Sequence, residues 1–154
     1  MLKRITLILL FASAVCVLNA QNIKGKWSLD SIKTTDQSLN AMIPQDEIAD
    51  VLVEFTDNGF VKVSGIDTKT KYKVEKDKIV FSEGMAEKIK NPALKYSVKN
   101  GVLVVNVSEE IVKQIMLIVK DMYIEAGGDK FVASMIESAA LSSKIEAVIK
   151  LKRK

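Results

Sequence analysis

The sequence predicts a mainly β fold: eight antiparallel strands in up-and-down order, closed into a barrel, with two helices between the seventh and eighth. Three observations carry this. Eight short segments alternate apolar and polar residues, the period of a strand with one buried face. Asn-Gly pairs at Asn58-Gly59 and Asn100-Gly101 sit where tight hairpins need positive φ. Gly25-Lys26-Trp27 opens the first segment with the only tryptophan, a side chain large enough to plug one end of a small barrel.

The strands are expected at 26–34, 50–56, 60–65, 69–75, 78–82, 94–99, 102–107 and 144–152. Their apolar positions keep phase, as in Val51, Val53 and Phe55, or Leu103, Val105 and Val107. Lys69, Lys71 and Lys73 alternate with Thr70, Tyr72 and Val74, so they read as the wet face of a strand. Two further reversals fall at Gly65-Ile66-Asp67 and Glu75-Lys76-Asp77. Short connections favour pairing of sequence neighbours, and closing the first strand on the last removes both open edges.

Three connections are long. Residues 34–49 contain Pro44 and a helical turn expected over 37–42, and residues 83–92 join the fifth and sixth strands. The third, 108–143, predicts a helical hairpin. Ser108 is placed as N-cap, with Glu109 and Glu110 in the first turn and Ile111, Ile115, Ile118 and Met122 at helical spacing. Gly127-Gly128 ends that helix, and Asp129 caps a second with an expected inner stripe of Val132, Met135, Ile136 and Ala139. The wide run 115–119 is expected to be buried between barrel and partner helix.

The first 20 residues read as an export leader: Lys3 and Arg4, an apolar core over 5–18, and Leu18-Asn19-Ala20 before the cut. Lipid attachment at Cys16 is the competing reading, disfavoured by Val15 where a small residue is wanted. Cleavage would leave one barrel domain over 21–154, periplasmic or secreted, with 21 basic residues against 19 acidic, a net charge of +2. So even a balance argues against nucleic acid as partner. Without cysteine the mature chain has no disulfide framework.

At Gly25-Lys26-Trp27, Phe55-Thr56-Asp57-Asn58-Gly59 and the basic ending Leu151-Lys152-Arg153, the chain resembles the lipocalin-like (calycin) domains of small secreted bacterial proteins. The resemblance spans 22–154, the helical hairpin aside. It implies a container for a small apolar ligand and places Arg153 across the ring of Trp27, with Gly25, Trp27 and Arg153 as the barrel plug. Two departures stand out. Lipocalins carry a helix after the eighth strand, whereas here two helices precede it, and the disulfide of many secreted lipocalins is missing.

Catalysis is not expected. The chain has no histidine, and its serines form no Gly-x-Ser-x-Gly. Gly127-Gly128 follows a helix, so it makes no phosphate loop. Asp46-Glu47 and Glu109-Glu110 fall at element starts, where acids cap or stay solvated. No metal and no cofactor are called for. Ligand-lining candidates are Tyr72, Phe81, Tyr96, Leu103, Met116, Met122 and Met135, with barrel filling and helix packing as the competing roles for the rings and methionines. The functional expectation is a non-catalytic binding protein for a small apolar ligand. The alternative is an interaction module presenting the hairpin 108–143 to a protein partner, and membrane association is expected only through a lipid on Cys16.

Overall fold

A computed structural model describes residues 23–142 and 144–154. The leader expected over 1–20, Cys16 and the end of the hairpin at Ser143 lie outside the described residues.

The strands are β1 (Gly25–Thr34), β2 (Leu52–Phe55), β3 (Phe60–Val63), β4 (Thr70–Glu75), β5 (Lys78–Ser82), β6 (Ala93–Lys99), β7 (Val102–Val107) and β8 (Ala147–Arg153). Each pairs antiparallel with its sequence neighbours, and β1 pairs with β8 to close the barrel, as the connection lengths predict. Between β1 and β2 lie two short helices, α1 (Gln37–Met42) and α2 (Gln45–Ile48). Asp36 caps α1 by accepting from the Leu39 amide. A 3-10 turn (Gly84–Lys88) follows β5, and α3 (Glu109–Glu125) and α4 (Lys130–Ser142) follow β7.

The wall is not uniform. β1, β6, β7 and β8 share long ladders, while β3 and β4 exchange only Phe60↔Lys71 and Val61↔Thr70. A bulge at Asp30 breaks the β1 register between Leu29 and Ser31. It shifts the phase by one residue, so Leu29 and Ile32 both face the interior, which strict alternation would deny to Ile32.

The core fills one end of the barrel: Ile23, Trp27, Ile79 and Leu103 have no exposed surface, and Leu29, Phe55, Tyr72 and Leu151 pack beside them. A smaller cluster of Val107, Ile111, Val112 and Ile145 ties the start of α3 to the opposite end.

The helical hairpin departs from expectation in three respects. Ser108 holds the N-cap position by its backbone alone, because its side chain accepts no amide. The stripe of α4 turned to α3 is Ala133, Ile136 and Ala140, one residue off the Val132–Met135 phase, since alanine lets two helices approach closely. The run 115–119 is not sandwiched: Ile115 and Val119 are exposed, because α3 meets the barrel only through its first turns.

The loop between α3 and α4 is tightly built. Gly127 takes φ +82°, and a side chain on Gly128 would strike the Tyr123 ring. The Tyr123 hydroxyl accepts from the Asp129 amide, and Asp129 caps α4 by accepting from Phe131 and Val132.

Candidate functional site: an apolar cavity in the barrel

Above the packed end the inward side chains leave a cavity of about 360 Å³. All eight strands contribute to its wall, among them Leu29, Val53, Val61, Ile79, Leu94, Val105 and Ile149. Thr70 is the one hydroxyl-bearing residue in the lining; every other lining residue is apolar. At roughly 30 Å³ per water, the space equals about a dozen waters, near the lower end of small-molecule sites. With almost no polar partner inside, water gains little there and an apolar molecule much.

Trp27 lies in the packed end, outside the cavity lining. Its indole N–H donates to the Ile23 carbonyl at 2.7 Å, which satisfies the one polar atom of a side chain with no exposed surface. The Arg153 guanidinium lies 4.4 Å from the ring centroid and donates to the Lys24 carbonyl at 3.1 Å. Gly25 sits between them with φ +111°, where an added Cβ would stand 3.5 Å from the guanidinium. These three residues pack against one another at that end.

The mouth lies opposite. Ala86, Ile89 and Pro92 line one side, and Ile111 and Ile115 of α3 the other. Gln114 latches the two sides: its side-chain oxygen accepts from the Lys90 amide at 2.6 Å, and its amide nitrogen reaches the Lys90 carbonyl at 3.4 Å. Lys71 pairs with Glu83 at 3.1 Å where the 3-10 turn begins.

Of the sequence-derived lining residues, Phe81 faces the cavity. Tyr72 does not: its ring stacks edge-on against Phe55 at 5.1 Å, and its hydroxyl donates to the Thr56 carbonyl, so it is part of the packed end. Burial, and then Asp57 nearby, push its phenol pKa above the ordinary 10.0. Tyr96 is half-buried against the core outside the lining, and its phenol is raised in the same way, by burial and then by Asp77. Leu103 is wholly buried at the closed end, and Met116 packs on the Val107–Ile145 cluster. Met122 and Met135 are 51% and 58% exposed on the hairpin, away from the cavity wall. The lining is instead mostly aliphatic, with Phe55 and Phe81 its two rings. Val53, Phe55 and Leu94 carry the inward phase of their strands, a signal legible from alternation, whereas Ile111 and Ile115 enter through the docking of α3, which alternation does not report.

A second depression of about 450 Å³ lies on the outer face of the wall, among Lys33, Lys78, Lys95 and Glu146. Most of the residues around it are polar or charged, whereas the barrel interior is lined by apolar residues and Thr70 alone, so the interior is the better candidate for an apolar ligand. Among the described residues no three His, Cys, Asp or Glu side chains gather where they would hold a metal ion.

The architecture thus defines a class: a closed eight-stranded antiparallel barrel with one packed end and an apolar cavity open beside a helix. Compared with known proteins, the chain matches no family model, no curated protein and no solved structure.

Proposed function

We propose that this protein is a non-catalytic carrier, a lipocalin-like barrel that holds one small apolar molecule and works in the periplasm or outside the cell. The observation that supports it is the cavity: about 360 Å³, walled by residues from all eight strands of which all but Thr70 are apolar, and open beside α3. Its lining has no charged side chain, so a ligand with a polar end would keep that end at the mouth. The α3–α4 pair after β7 is, in this reading, an addition to the lipocalin plan that supplies one lip of the mouth through Ile111 and Ile115.

The test is fluorescence titration with N-phenyl-1-naphthylamine, an uncharged probe that brightens in apolar surroundings. The wild-type protein should bind one probe per chain. Val53→Trp, which fills the cavity from β2, should weaken binding by about tenfold or more while the circular dichroism stays that of the barrel. Equal binding by both proteins would place the probe elsewhere and defeat the reading.

A further inference from the structure

Among the described residues that line the cavity, Thr70 alone has a polar side chain, and its position is informative. It opens β4 at the end of the barrel that carries the β5–β6 connection and α3, so it stands at the mouth, while Tyr72 two residues on belongs to the packed end. Val61, directly opposite on β3, also faces the cavity. The Thr70 hydroxyl makes no hydrogen bond among the described residues. No enclosed side-chain oxygen or nitrogen among them lacks a partner, so this hydroxyl is reachable from the open space. Gly84 keeps it reachable. It takes φ +61°, and a Cβ there would stand 3.2 Å from the Thr70 hydroxyl and 2.8 Å from the Lys69 carbonyl. Glycine accepts that conformation without strain and, lacking a side chain, leaves room beside the hydroxyl. The lysines flanking Thr70 in sequence are engaged elsewhere: Lys71 pairs with Glu83 at 3.1 Å, and the Lys69 ammonium lies 5.9 Å from the Phe60 ring centroid.

We propose that Thr70 sets the ligand's chemical class: an uncharged molecule, apolar along its length, with a single oxygen (an alcohol or a ketone) hydrogen-bonded to the Thr70 hydroxyl at the mouth end. The proposal rests on the carrier reading and makes it more specific. The cavity's volume of about 360 Å³ admits about a dozen non-hydrogen atoms inside the barrel, at roughly 30 Å³ per water-sized group. The single oxygen follows from the wall. A hydroxyl can donate to a ketone or exchange a bond with an alcohol, whereas a second polar atom deeper in the barrel would meet only apolar side chains and lose its water without compensation. A pure hydrocarbon strips water from Thr70 and returns no hydrogen bond. A carboxylate fits worse, because among the described residues no cation lines the cavity and the ionised group would be left unpaired there.

The experiment is calorimetric titration at neutral pH with 4-butylphenol and butylbenzene, one carbon frame with and without a terminal hydroxyl. The readout is the ratio of the two affinities in wild type, Thr70→Val and Thr70→Ser. Valine keeps the shape and removes the hydroxyl, so the preference for 4-butylphenol should fall about fivefold, the worth of one neutral hydrogen bond. Serine keeps the hydroxyl and should keep the preference. Because both compounds meet the same barrel in each variant, a general loosening of the fold cancels from the ratio. In wild type, decanoate should bind about tenfold or more weakly than 1-decanol. A ratio that Thr70→Val leaves unchanged, or that Thr70→Ser lowers equally, overturns the proposal, as does a preference for decanoate; in each case the carrier reading stands and this inference falls alone. Binding of none of the four compounds defeats the carrier reading and takes this inference with it.

Discussion

Trp27→Ala is the substitution whose consequence the structure defines most sharply. The indole has no exposed surface and is clamped between the Ile23 carbonyl and the Arg153 guanidinium. A buried tryptophan hides ~200 Å², and at ~25 cal/mol per Å² that is worth about 5 kcal/mol. Alanine keeps part of this, but the Ile23 carbonyl loses its donor, a loss of about 1 kcal/mol. The net expectation is ~4 kcal/mol, within the measured range of about 3–5 for such truncations. For a chain of this size, with a urea m-value of ~1.5 kcal/mol/M, the unfolding midpoint should fall by about 2–3 M. The assay is urea unfolding followed by far-ultraviolet circular dichroism, since the substitution removes the only tryptophan fluorophore. A loss under ~1 kcal/mol, well below the truncation range, or wild-type emission typical of a solvated indole, would refute the burial of Trp27 in the packed end.

Other expectations follow from local geometry. Gly128→Ala drives a methyl into the Tyr123 ring and breaks the Asp129 amide bond to that hydroxyl, so amide exchange across 109–142 should quicken while the barrel strands keep their protection. Unchanged exchange in the hairpin would contradict the tight loop. The raised phenol of Tyr72 carries a defined sign: the folded form holds its proton above the ordinary 10.0, so its contribution is complete below that pH and is lost as pH rises through the folded value. Urea midpoints measured from pH ~9 to ~11 should therefore fall less steeply in Tyr72→Phe than in wild type, and parallel slopes would contradict the burial of that hydroxyl.

Strand order and closure were legible because each inward face is a clean period of two and the turns carry their own chemistry, as at Asn100-Gly101. The bulge at Asp30 was less so, although the slip from Leu29 to Ile32 is its trace in the sequence. Reading the site from its rings found Phe81 but misplaced Tyr72 and Tyr96, and for Tyr72 the reason is physical. Tyr72 packs edge-on against Phe55 within the packed end, so the space that survives lies on the other side of Phe55, among mostly aliphatic side chains. In the hairpin, large apolar residues were assigned inward, yet close helix contact uses Ala133 and Ala140 and leaves Val132 and Met135 outside. Hydrophobicity alone does not report which face finds a partner.

The most direct measurement of the carrier reading is native mass spectrometry of the protein isolated from its own host without detergent. The account predicts a population carrying one small, uncharged or weakly polar molecule, which is lost on unfolding and missing from Val53→Trp. A spectrum holding the bare chain alone, from protein that also takes up no N-phenyl-1-naphthylamine, would contradict it.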